Sequence, residues 1–153
     1  GNTAEDNGIM AYPTSSAILL DGKKQAFAAY TVHDKNGGAS TYVKLRDIAY
    51  ALKDTDAKFE VAWENQAITL RPGEDYSIDG SEMKSFFSGT QKAKAVSSKI
   101  FIDGTPIALE GITLTDSNGG SFNYFKLRDL GKAMNFNVTW DGKQINIESS
   151  TGR

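Results

Sequence analysis

Lys44, Arg46 and Asp47, and again Lys126, Arg128 and Asp129, are the charged members of a tetrapeptide that the chain carries twice, Lys-Leu-Arg-Asp at 44–47 and at 126–129. Two cations and a carboxylate within four residues suit two roles at a strand-to-helix junction. In one, the cations grip an anionic ligand at the start of the helix. In the other, Leu45 and Leu127 plug a core while the charges cap and solubilise the junction, with Arg46 or Arg128 paired to an acid on a neighbouring strand. The tetrapeptide recurs whatever its neighbours are, which favours the structural role.

Other chemistry-bearing residues are scattered. His33 is the single histidine and Cys is absent, so neither a histidine-cysteine metal site nor thiolate catalysis can be assembled. Asp54-Thr55-Asp56, with Glu60 nearby, is a fragment of a calcium loop without its glycine and distal glutamate, and reads as a solvated insertion. Glu74-Asp75 has no carboxylate placed opposite it for glycosidase work. The Gly pairs in Asp34–Gly38 and Asp116–Gly120 have the composition of turns, not the spacing of a phosphate loop. No catalytic constellation emerges; no enzyme activity, metal or cofactor is expected. Of the aromatics that could stack on sugars, Trp63 and Trp140 share parity with core positions, and core is the expectation for both. Tyr42 and Tyr124 are candidates of the same kind. Tyr12, Tyr30, Tyr50 and Tyr76 are less constrained and are the candidates for exposed, glycan-contacting rings.

The 153 residues carry a net charge of −2 with 24% charged side chains, a globular balance. No run of Lys and Arg exceeds a pair, so the electrostatic footprint of a nucleic-acid binder is missing. No apolar run approaches the roughly 20 residues of a bilayer span, so membrane insertion is not expected. The absence of Cys mildly favours an exported protein, and a signal peptide or lipid-attachment Cys upstream of Asn2 would settle export.

What must position these residues is a duplication. A shift of 82 aligns Ser15–Lys53 with Ser97–Asn135, and 17 of the 39 aligned positions are identical. Repeat one then has five extra residues, Asp54–Lys58, after which Phe59, Val61, Trp63 and Ile68 fall on Phe136, Val138, Trp140 and Ile145. Each repeat opens with an apolar strand and an Asp-Gly turn, Asp21-Gly22 or Asp103-Gly104, suited to a type I′ hairpin. The apolar parity then switches near Ala29 and Gly111, which predicts one long second strand with a β-bulge. After a third strand, Leu45, Ile48, Ala49 and Leu52, like Leu127, Leu130, Gly131 and Met134, mark one face of a short helix. Asp47 and Asp129 lie in its first turn, where the dipole favours a carboxylate. An alternating strand, a turn and a last strand complete each unit. Residues 1–14 read as a flexible tether, 15–72 as repeat one, 73–95 as a connector packing between repeats, and 96–149 as repeat two. The expected fold is α+β: two tandem repeats, each an antiparallel β-sheet curled around one short α-helix.

Tyr124-Phe125-Lys126-Leu127-Arg128-Asp129-Leu130-Gly131, followed by Phe136-Asn137-Val138-Thr139-Trp140-Asp141, resembles the copper amine oxidase N-terminal-like domain, also called the stalk domain. The opening Ile100-Phe101-Ile102-Asp103-Gly104 fits the same pattern, and the resemblance covers both repeats. It implies a sheet curled around a helix and a non-catalytic role at the surface of a Gram-positive bacterium. A single His cannot supply the three ligands of the oxidase copper site. The expectation is therefore a stalk, spacer or interaction module, contacting other domains of its own protein or cell-wall components. The alternatives are a carbohydrate or peptidoglycan binder and, further off, a hydrolase or metal enzyme.

Overall fold

The computed structural model describes residues 8–34 and 36–150. The first half contains β1 (Ile9–Pro13), β2 (Ala17–Leu20), β3 (Lys23–Gln25), β4 (Tyr30–His33), β5 (Ala39–Lys44), α1 (Leu45–Ala51), β6 (Phe59–Glu64) and β7 (Ala67–Pro72). The second half runs in the same order: β8 (Gln91–Ala95), β9 (Lys99–Ile102), β10 (Thr105–Ile107), β11 (Gly111–Thr115), β12 (Ser121–Lys126), α2 (Leu127–Met134), β13 (Asn137–Trp140) and β14 (Gln144–Glu148).

The duplication is real in three dimensions, but the two-unit architecture expected from it is not. The protein is mostly β, and its halves are interleaved. Six strands, in the order β1-β4-β5-β12-β11-β8, close a barrel to which each half contributes three. The other strands form two four-stranded sheets, β10-β9-β7-β6 and β13-β14-β2-β3, each built from a hairpin of one half and a hairpin of the other. The pairs that join them are parallel, Ile68 opposite Ile100 and Ile145 opposite Ile18. No sheet belongs to one repeat, so neither repeat is an antiparallel sheet around its own helix.

Registers reveal the symmetry. Across the antiparallel β5–β12 pair Val43 lies opposite Phe125, and across β1–β8 Met10 lies opposite Lys92. Each of these pairs is a residue and its own repeat equivalent, 82 positions on. Equivalent residues face each other in an antiparallel pair only where a twofold axis passes between them. The chain is thus organised like an intramolecular C2 dimer, with its two interfaces self-complementary. The same shift places β1 on β8. The expected tether therefore ends earlier than residue 14, since Ile9–Pro13 form a barrel strand with Ala11 buried; residues 1–7 lie outside the described residues.

The local signals behaved as their chemistry dictates. Asp21 and Gly22 have φ of 50° and 85°, and Asp103 and Gly104 have 49° and 83°, the positive angles of a type I′ turn. Asp34 and Asp116 hold their own loops, each carboxylate accepting two backbone N–H groups, from Asn36 and Gly38 and from Asn118 and Gly120. The long bulged strand, in contrast, does not exist. Between β3 and β4, and between β10 and β11, the chain leaves a mixed sheet and enters the barrel. The parity switch records a change of sheet.

One continuous core joins the halves. It includes Ile48, Leu52, Phe59 and Leu70 from the first and Phe125, Leu127, Leu130 and Phe136 from the second. Both helices rest on β5 and β12, the strands that meet at the axis. A smaller cluster fills the barrel, where Tyr30 meets Tyr124 edge-on with ring centroids 5.5 Å apart. Each large apolar side chain so buried contributes about 1.5–3 kcal/mol.

Trp63 and Trp140 are not core residues. Their exposures are 60% and 51%, against 0% and 4% for Phe59 and Phe136 at the start of the same strands. Both lie on outer strands, near the turn. Alternation gives the face a side chain takes, not how far along the strand the covering layer extends, and here it ends before the tryptophan.

Candidate functional site: one groove, built twice

The strand-to-helix junctions carry the Lys-Leu-Arg-Asp pair, and beside each lies a groove. The first is bounded by Lys44, Arg46, Val61, Trp63, Ile68 and Phe122. The second is bounded by Lys126, Arg128, Val138, Trp140, Ile145 and Ser40. Position by position these sets are related by the internal twofold. Ser40 is the counterpart of Phe122, so each groove takes one wall from each half.

The chain itself occupies the first groove. The connector between β7 and β8 passes over α1, with Asp79 and Ser81 forming part of the groove wall. Lys44 is buried and donates from Nζ to the carbonyls of Ser81 at 3.0 Å and Lys84 at 3.4 Å. Asp47, 1% exposed, accepts the Met83 N–H at 2.7 Å and lies 3.6 Å from Lys44 Nζ; its second oxygen has no partner among the described residues. Met83 stands at φ 63°, a left-handed angle uncommon for residues other than glycine, and this bond ties it to Asp47. Arg46 donates to the Tyr76 hydroxyl at 3.0 Å and pairs with Asp79 at 3.2 Å. The Tyr76 hydroxyl donates in turn to Glu82, whose carboxylate also takes the N–H groups of Asp79 and Gly80. Phe86 stacks on Phe122 at 4.5 Å, with Lys44 Nζ 4.5 Å from the Phe86 ring centre.

This burial perturbs the charges. Loss of water lowers the Lys44 pKa and raises that of Asp47, and in each case their mutual attraction opposes the change without cancelling it. Burial and the bond to Glu82 push the Tyr76 hydroxyl up.

The second groove, about 470 Å³ against about 280 Å³ for the first, has no such covering strand among the described residues. Arg128 is exposed; its Nη1 donates to the Val138 carbonyl at 3.2 Å, and no carboxylate lies within ion-pair distance among the described residues. Lys126 is half-buried and bonds Glu110 at 2.9 Å, which raises its pKa. Asp129 accepts the Glu110 N–H at 3.3 Å. The floor is rich in hydroxyls, from Ser15, Ser16, Thr31 and Thr41. A wider depression over β7 and β9 has its main charges already joined, Arg71 to Glu64 at 2.6 Å.

The structural role expected for the tetrapeptide is thus visible in repeat one, except that the acid pairing with Arg46, Asp79, comes from the connector and not from a neighbouring strand. The candidate aromatics divide. Tyr12 is exposed and rests edge-on against His33 at 5.7 Å, while Tyr50 is half-buried beneath Lys53. Tyr30 and Tyr76 are buried, contrary to expectation, because one fills the barrel and the other is the point where the connector packs into the main core beside Arg46. Tyr42 and Tyr124 are barrel core. His33, Asp54, Asp56 and Glu60 form no metal-ligating cluster among the described residues. Trp140, named among the sugar-stacking aromatics but expected in the core, lies in the open groove, and the groove hydroxyls carried no signal of their own. The only signal for them was the difference between the repeats: the acidic segment at 79–82 stands before repeat two and covers repeat one.

Comparison with models of known families, with curated proteins and with solved structures gives no match. The chain folds as a pseudosymmetric, mostly β protein with a six-stranded barrel and two exchanged mixed sheets, and carries a groove at each strand-to-helix junction, of which the second has no covering connector among the described residues.

Proposed function

We propose that this chain is a non-catalytic interaction and spacer module, and that the open groove at Lys126, Arg128 and Trp140 is its contact face. The observation that carries the reading is the unequal use of one duplicated groove. In the first, the chain's own connector holds Lys44, Arg46 and Asp47 through five polar contacts and stacks Phe86 on Phe122; in the second, Arg128 is exposed with no carboxylate partner among the described residues, while the tryptophan is exposed in both. An exposed aromatic beside a guanidinium with no carboxylate partner among the described residues is the composition of interaction hot spots. A fold whose halves exchange hairpins and share one core suits a spacer. The stalk-domain resemblance and the Cys-free composition support placement at the surface of a Gram-positive bacterium, where the contacts would be other domains of the same protein or cell-wall components.

Retention of the protein on purified cell-wall material and on neighbouring domains tests this. Retention that falls with Trp140→Ala or Arg128→Gln but survives Trp63→Ala is the expected result. Retention indifferent to the groove variants, or turnover of a wall substrate, refutes it.

A further inference from the structure

We infer that the open groove takes an acidic, turn-forming peptide segment of a partner protein, held as residues 79–84, which bend at Gly80 and Met83, are held in the equivalent groove. This names the ligand class of the contact face proposed above and rests on that reading. The filled groove serves as the template. There a carboxylate, Asp79, meets Arg46 at 3.2 Å, and two main-chain carbonyls, those of Ser81 and Lys84, converge on Lys44 Nζ. The open groove presents the same two cations, Lys126 and Arg128, on the same strand-to-helix turn, with Trp140 where the first has Trp63. Arg128 lacks the acid that Arg46 has, among the described residues. Lys126 spends one of its three N–H donors on Glu110 and keeps the others. The match is not complete, and the difference refines the ligand. Ser40 replaces the Phe122 shelf on which Phe86 stacks, so the segment needs an acid and accessible carbonyls but no phenylalanine pair. Exposed charges are screened by salt, so binding should be weak and salt-sensitive.

The probe is a synthetic peptide with the sequence of residues 77–84, titrated into the full chain while the Trp140 and Trp63 indole signals and the Arg128 side chain are followed by NMR. Saturable shifts at Trp140 and Arg128, and little at Trp63, are expected. Affinity should fall about tenfold for the Arg128→Gln variant, and similarly for a peptide with Asp79→Asn, as for loss of one charged hydrogen bond. An Arg128→Lys variant, keeping the charge, should retain part of the affinity, and both variants should melt as the parent does. Shifts at the same residues with a neutral cell-wall oligosaccharide but none with the peptide would overturn the peptide class and leave the contact face standing. No response to either would overturn both. Concentration-dependent dimerisation through the groove, or peptide binding only after removal of residues 1–7, would show the occupant to be a second copy or the chain's own terminus, and would overturn a partner segment.

Discussion

Replacing Phe125 by Ala tests whether the halves form one cooperative unit. Phe125 is fully buried, faces Val43 across the internal axis and belongs to the core shared by both helices. Truncating such a ring costs about 3–5 kcal/mol, a large share of the roughly 5–15 kcal/mol that holds a domain together. At about 2–4 °C per kcal/mol for a chain of this size, the melting temperature should fall by roughly 6–20 °C. Differential scanning calorimetry should show a single transition in the parent, its calorimetric and van't Hoff enthalpies equal, and the whole of that heat should move in the variant. Phe59→Ala, in the other half and equally buried, should move the same transition. Two transitions, with Phe125→Ala shifting one and Phe59→Ala the other, would refute an exchanged core and restore two independent beads.

Gly111 lies where an added Cβ would come within 2.6 Å of the Phe125 ring and 2.9 Å of Val96, whereas the equivalent pair in the first half is Ala29 and Val43. Gly111→Ala should therefore cost about 1–3 kcal/mol by urea denaturation, and most of this should vanish in a Phe125→Val background; additive effects would refute the size compensation. Trp63→Ala and Trp140→Ala should each change stability by less than about 1 kcal/mol, and a loss of core magnitude would show that they are buried. Lys44→Met leaves Asp47 buried without its cation and should cost about 3–5 kcal/mol, with recovery in Lys44→Met/Asp47→Asn; equal losses would refute the coupling. Because burial lowers the Lys44 pKa in the folded state, its contribution is most favourable above the unfolded value of about 10.4 and is lost as pH falls through the folded one. The parent should thus gain stability relative to Lys44→Met as pH rises through that window.

What can be read from a sequence is what depends on near neighbours. Asp-Gly predicts a turn because only certain residues tolerate positive φ, and both turns form. The period of Leu45, Ile48 and Leu52 predicts a helix face, and it is buried. The 82-residue repeat predicts that the two halves share a set of elements, as they do. Pairing is different. β2 finds β14 and β9 finds β7 across distances in sequence that no local pattern encodes. A repeat that can pair with itself can pair equally well with its copy, because the two present nearly the same edges. The identity of Lys-Leu-Arg-Asp at both junctions was likewise legible, and the unequal fate of its charges was not. Residues 79–84 precede repeat two yet lie over repeat one, burying Lys44 and leaving Arg128 in water. The sequence by itself determined the turns, the helix faces and the doubled groove; only the tertiary structure, through the exchange of hairpins about the twofold and the path of one connector, decided which groove is filled and which is open.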